Sequence, residues 1–283
     1  MPFTLPPALF AILAGLVESR LGIACNPDDP APFSEKVTAR ATEAGFESVL
    51  DYYYFLRFDP GGSAELDVLA DSLVVGETYF FRELGAARAG VEQALVPAVA
   101  RNGRARVWCA ACATGEEPLS VAMLLAEAGV ADRCEIIATD VSARHIGRAR
   151  EGHYKGRSLR ALPPAPTSPG WTTKLAAIAD ESMVRDSAGA RIAPALLAKI
   201  DYRQGNLLDA AAVSDLGKFD LVLCRNVLIY FGDDTIVRVV SSLAGALAPE
   251  GALLIGAAES LLRFGTALHC EERGGAFFYT RTP

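Results

Sequence analysis

Three short stretches of the chain join polar residues to small or apolar neighbours in a pattern that suits ligand chemistry. The first is Ala110-Ala111-Cys112-Ala113-Thr114-Gly115-Glu116-Glu117-Pro118, directly after the apolar segment Val107-Trp108-Cys109. Small residues permit a tight turn and a close approach of backbone to ligand. Two carboxylates behind that turn would repel a diphosphate. They suit a ligand carrying an ammonium or sulfonium group and hydroxyls, although they also read as a helix start whose acidic first turn the dipole favours. The second stretch, Glu135-Ile136-Ile137-Ala138-Thr139, ends at Asp140. A carboxylate there, about 25 residues past the turn, either accepts bonds from both ribose hydroxyls or caps the next helix. Together the two signals point to adenosine. Nicotinamide dinucleotide is disfavoured, because no G-x-G-x-x-G is present.

The third stretch runs from Phe219-Asp220-Leu221-Val222-Leu223-Cys224 into Arg225-Asn226 and then Val227-Leu228-Ile229-Tyr230-Phe231. A polar pair between two apolar runs is costly to bury unless it is bonded to something. Tyr230 offers a face able to stack on a purine. The plainer alternative has Arg225 bonding a carboxylate for stability and Tyr230 in the core. Other constellations carry less. Cys109-x-x-Cys112 lacks a second Cys pair, and His145, His153 and His269 are scattered, so no metal site is expected. Tyr52-Tyr53-Tyr54 has no basic residues clustered around it and reads as packing between helices.

These residues need elements to position them. The 283 residues are 51% hydrophobic and 22% charged, a globular composition with room for one large domain or two modest ones. Twenty-seven basic residues against 34 acidic ones leave a net charge of −7, which disfavours general nucleic-acid binding. No run approaches the roughly 18 apolar residues of a membrane span. The apolar stretch Leu5 to Val17 lacks the basic flank of a secretory signal, since the first Lys or Arg is Arg20. With six dispersed cysteines, the expectation is a reduced, cytoplasmic protein.

The first 90 residues read as helical. Helices are expected from Ala8 to Leu21, from a Ser34 cap to Ala44, over Phe46 to Phe58, and over Ala64 to Leu73 after a Ser63 cap. Val74 to Phe81 is the one strand-like segment. From about residue 105, strands and helices alternate. Strands are expected at 106–109, 134–138, 219–224, 251–256 and 275–281, and helices at 117–128, 143–151 and 235–247. Strands without polar alternation, separated by helices, indicate a parallel sheet covered on both faces. Residues 155–203, rich in proline, break the rhythm and read as an insertion or small subdomain.

At this point the motifs resemble a known family. Gly76-Glu77-Thr78-Tyr79-Phe80-Phe81-Arg82-Glu83 is similar to the T-x-F-F-R signature of the CheR-type chemotaxis-receptor glutamate methyltransferases. Trp108 to Pro118 resembles their W-x-A-G-C-x-T-G-E-E-P. Ala138-Thr139-Asp140, Asn206-Leu207-Leu208, Phe219 to Phe231 and Gly256-Ala257-Ala258-Glu259-Ser260-Leu261 follow in the family's order. The resemblance covers residues 60–283. It implies an α/β fold with a Rossmann-like S-adenosylmethionine-dependent methyltransferase domain (93–283). An N-terminal helical domain (1–92) and a small β-subdomain inserted at about 155–203 complete the implied organisation.

The resemblance also implies S-adenosylmethionine as methyl donor and glutamates on chemoreceptor cytoplasmic helices as acceptors. Neither nucleic acid nor direct membrane insertion is expected. Gly76, Thr78 and Arg82 would contact the cofactor, with Arg82 and Tyr230 as catalytic candidates. Glu117, for which Glu116 is a possible substitute, and Asp140 would hold the amino group and the ribose. Asn206 and Leu207 would lie by the adenine, Cys224 and Arg225 near the methionine portion, and Asn226 close by. Tyr230 would stack on the adenine or shape the acceptor side. Three positions depart from the pattern. Ala111 replaces a usual Gly, Gly76 a frequent Asn, and the stretch corresponding to the family's second N-terminal helix, whose basic face often docks on receptor helices, holds Lys36 and Arg40 among Glu35, Glu43 and Glu47. A cofactor-binding regulatory or scaffolding relative, or a methyltransferase for another acceptor, is the alternative reading.

Overall fold

The computed structural model describes residues 5–162 and 170–281. Four helices open it, α1 (Pro7–Leu21), α2 (Ala31–Glu43), α3 (Val49–Phe58) and α4 (Gly62–Leu73). Leu13, Val17, Val37, Tyr52 and Leu69 meet in their shared core. Proline in the first turn of α1 presets φ where no N–H is needed. Ser48, not the region of Phe46, starts α3, and its Oγ accepts from the amides of Leu50 and Asp51. Ser34 does not cap α2. It lies inside the helix, where its hydroxyl donates to the Pro30 carbonyl (2.7 Å) and accepts from the Leu5 amide (3.2 Å). Ser63 likewise falls within α4, which has no side-chain cap. The strand expected over Val74 to Phe81 forms no ladder and runs as irregular chain.

Helix α5 (Leu84–Gly90), a π-turn (Val91–Leu95) and α6 (Val96–Asn102) follow without interruption, so the chain has no break at residue 92. The alternation then begins with β1 (Ala105–Ala110), α7 (Glu116–Glu127), β2 (Cys134–Asp140) and α8 (Ala143–Glu151). Next come β3 (His153–Tyr154), α9 (Thr173–Glu181), β4 (Met183–Asp186), β5 (Gly189–Ile192) and α10 (Pro194–Leu197). The chain returns to the alternation through β6 (Ile200–Gln204), α11 (Ala210–Asp215), β7 (Phe219–Cys224), α12 (Asp233–Ala246) and β8 (Leu247–Ile255). It ends with β9 (Leu268–Arg273) and β10 (Ala276–Arg281).

The main sheet has the order β6-β2-β1-β7-β8-β10-β9. Strands β6, β2, β1, β7 and β8 run parallel, and β10 is antiparallel to both β8 and β9. Alternate residues of β1 feed opposite cores. Val107 and Cys109 join the cluster with α5 to α7, whereas Trp108 and Ala110 join that with α12. This is a Rossmann-like α/β fold. A second antiparallel sheet, β3-β5-β4, has β4 and β5 within the region read as an insertion and β3 just ahead of it, and residues 163–169 of that region lie outside the described residues. The insertion was expected to reach residue 203, yet β6 pairs with β2 from Ile136↔Ile200 to Asp140↔Gln204 and belongs to the main sheet.

Candidate active site

A cleft opens at the carboxyl ends of β1, β2 and β7, enclosing about 1150 Å³ when its mouth is included. Thr78, Arg82, Glu117 and Asp140 line it, together with Asn206, Leu207, Arg225, Asn226 and Tyr230. Two expected residues are not in the lining. Cys224 is fully buried, paired in the sheet with Ala110 and Ile255, and Gly76 lies against the ring of His145. The N-terminal helices supply part of the wall through Leu21 and Ile23. The Ala24 amide donates to the Tyr230 carbonyl (2.8 Å), and Asn206 Nδ2 donates to the carbonyl of Arg20 (2.7 Å). The opening residues thus help to enclose the cleft.

Backbone strain concentrates here. The non-glycine residues with left-handed backbone among those described are Phe81, Glu83, Ala111, Ala113 and Asn226, all on the segments that edge the cleft. Ala111 and Ala113 bend the turn after β1 (φ 59° and 47°), and small side chains keep that bend tolerable. Gly115 completes it at φ 94°. A Cβ there would stand 2.8 Å from Ala149 Cβ, so the glycine lets α7 start tight against α8.

The turn is fastened by Asp140. Its Oδ2 accepts from the Ala113 amide (2.8 Å) and its Oδ1 from the Ser142 amide (2.9 Å). Oδ2 keeps a second lone pair, so Asp140 can organise the turn and still accept from a ligand. The two adjacent glutamates have different surroundings. Glu116 is spent internally, accepting from Thr114 Oγ1 and Ser158 Oγ at 2.7 Å, and burial pushes its carboxyl above the ordinary range. Glu117 lines the cleft.

Arg225 is buried at the centre of the site. It donates through Nη1 to Glu117 Oε2 (2.8 Å), and through Nη2 to Glu83 Oε2 (3.0 Å) and the Arg82 carbonyl (2.7 Å). Burial works against its charge, but Glu117 and Glu83 more than offset that and hold it ionised. Burial raises the Glu117 carboxyl, with Arg225 opposing. For Glu83 the opposition wins, and its carboxyl sits below the usual range. Sequence reasoning gave no role to Glu83 or to Glu259, whose carboxylate accepts from the amides of Asn226, Leu228 and Gly256 at 2.7–2.8 Å. These bonds fix the strand-end turn that presents Asn226.

The charged lining comprises Glu77, Glu117 and Asp140 against Arg82 and Arg225. An excess of carboxylate fits a ligand with a sulfonium and an ammonium group, and disfavours a polyphosphate. The pattern of the CheR methyltransferase SAM-binding domain matches residues 76–273, which holds nearly all of this lining. The chain belongs to the CheR methyltransferase family. It is therefore an S-adenosylmethionine-dependent methyltransferase by family.

The chain is 33% identical over 256 residues to the probable biofilm formation methyltransferase WspC of Pseudomonas aeruginosa. That alignment covers 87% of this chain and 56% of WspC, so the chain spans little more than half of that relative. It is 32% identical over 228 residues to chemotaxis protein methyltransferase 2 of Vibrio cholerae, covering 79% and 75% of the two chains. With chemotaxis protein methyltransferase 1 of Pseudomonas aeruginosa it shares 29% over 273 residues, 89% and 90% of the respective lengths.

Proposed function

We propose that the protein is a cytoplasmic protein-glutamate O-methyltransferase that modifies the cytoplasmic helices of a chemoreceptor. The observation that carries this reading is the cleft itself, with Asp140 and Glu117 able to hold a ribose and an amino group and Arg82 in the same lining, one of its Nη atoms donating to the Glu77 carbonyl (3.2 Å). The bound cofactor supplies a methyl group on a sulfonium, which leaves as a neutral thioether. A glutamate side chain has an unperturbed pKa of about 4.3 and is already a nucleophile at neutral pH. Arg82 and Tyr230 then have only to orient that carboxylate in line with the methyl group and exclude water. The relatives named as chemotaxis methyltransferases support a receptor as the acceptor.

Surface charge supports an acidic acceptor as well. Residues 144–160 carry five arginines and a lysine against Glu151, a local +5 in a chain whose other residues sum to −12. Arg148, Lys155 and Arg157 are exposed along this strip. The strip reaches the rim where the Arg160 guanidinium lies 3.7 Å from the centre of the Tyr79 ring, a lining residue. The basic groups of α2 are engaged internally instead, Arg40 with Glu65 and Lys36 with the Leu73 carbonyl. The test is to incubate the protein with methyl-labelled cofactor and receptor-bearing membranes. Label should enter the receptor and leave as methanol in mild alkali. Alkali-stable label, or none on the receptor, would overturn the assignment.

A further inference from the structure

His145 was expected to be one of three scattered histidines, but the fold brings it to the cleft. It lies in the first turn of α8, is 5% exposed and lines the wall beside Asp140. Its amide donates to Ser142 Oγ (3.0 Å), and its Nδ1 stands 3.3 Å from Asp140 Oδ1. With Nδ1 carrying the proton toward that carboxylate, the neutral ring keeps a lone pair on Nε2.

The surroundings of Nε2 explain a glycine. A Cβ built on Gly76 would stand 2.5 Å from His145 Nε2 and 2.7 Å from Cε1. Contacts that close do not occur, and the obstacle is a ring held by Asp140 rather than a floppy chain end. The backbone of Gly76 is not left-handed, so its conformation does not call for glycine. The space does. Residues 76 and 145 compete for one volume beside the cleft wall, and the imidazole fills it.

We propose that His145 is a cofactor-binding residue. Its Nε2 accepts a hydrogen bond from a ribose hydroxyl of the ligand that Asp140 also holds, and Gly76 is the gap that admits the ring. The inference rests on reading the cleft as the S-adenosylmethionine site. It makes the pair 76/145 a unit, so the two positions cannot be changed independently.

Calorimetric titration of the full chain with S-adenosylhomocysteine tests this. His145→Val should weaken binding about tenfold, the loss of one hydrogen bond of ordinary strength. Gly76→Asn alone should weaken it too, because the new side chain collides with the ring. The double variant should return to within about threefold of wild type, since the Asn amide then occupies the vacated volume and restores a polar group. In nitrogen-15 spectra of wild type, the Nε2 signal of His145 should move on ligand addition, while the exposed His153 and His269 should not. Unchanged affinity in His145→Val, losses that simply add in the double variant, or an unmoved Nε2 signal would overturn the inference alone. A wild type that binds no S-adenosylhomocysteine would overturn the cofactor reading and this inference with it.

Discussion

Glu117 is the residue whose protonation most directly couples the cleft to pH. Burial raises its carboxyl, so on acidification it takes up a proton before an exposed glutamate would. The neutral acid no longer pairs with Arg225 or holds a ligand ammonium. Affinity for S-adenosylhomocysteine should therefore fall on acidification, beginning above the usual carboxylate range near 4.3. Glu117→Gln should already bind weakly at neutral pH and show a shallower decline. Calorimetry at falling pH checks both, and a flat wild-type profile would remove Glu117 from the amino-group site. Residues of this kind were legible because they follow strands within a few positions. Asp140, Glu117 and Arg225 could be picked out that way. Glu83 and Glu259 could not, because their partners are distant in sequence or are backbone amides in turns that no spacing announces, and His145 could not, because a lone histidine on a helix does not reveal which side of the helix meets the cleft. Cys224 was misplaced for a related reason. Its neighbour Arg225 faces the cleft, but the last strand position turns the thiol into the core.

At the scale of elements, the interior of the sheet could be read from its apolar runs and both edges could not. Strands β6 and β9 are the two edges, and their sequences, Ile-Asp-Tyr-Arg-Gln and Leu-His-Cys-Glu-Glu-Arg, carry the charge that edge strands use against unwanted pairing. That polarity made β6 look like part of the insertion. The serine caps failed where a proline or glycine turn had already started the helix. The helical N-terminal unit has a polar clasp of its own. Glu65 accepts from Arg40 Nε (2.7 Å), Arg40 Nη2 (2.9 Å) and the hydroxyl of the fully buried Tyr52 (2.8 Å). Burial alone would raise the Glu65 carboxyl, but Arg40 and Tyr52 hold it below its ordinary value. Its contribution is thus intact at neutral pH and lost as pH falls through that depressed value. Glu65→Ala should cost about 1–3 kcal/mol of stability, read by thermal unfolding, with affinity per folded molecule unchanged. A parallel loss of affinity would mean that these helices shape the cleft more closely than their contacts through Leu21 and Ile23 require.

For the whole molecule, the uneven charge matters more than the net −7. A basic strip on an acidic protein draws an acidic partner to one face and repels it elsewhere. Reversing two exposed charges, Arg148→Glu with Arg157→Glu, should lower kcat/KM for receptor methylation several-fold at low salt and much less at high salt. S-adenosylhomocysteine affinity should not change. Salt-independent kinetics in both proteins would place the docking surface elsewhere. No helix among the described residues is long and apolar enough to cross a membrane.

The claim on which all of this depends is that the cleft at the ends of β1, β2 and β7 holds the cofactor. A crystal structure of the protein with S-adenosylhomocysteine tests it most directly. The account predicts ribose hydroxyls within hydrogen-bond distance of Asp140, the amino group on Glu117 and the adenine against Leu207. Ligand bound outside the cleft, or bound within it with neither Asp140 nor Glu117 in contact, would contradict the account.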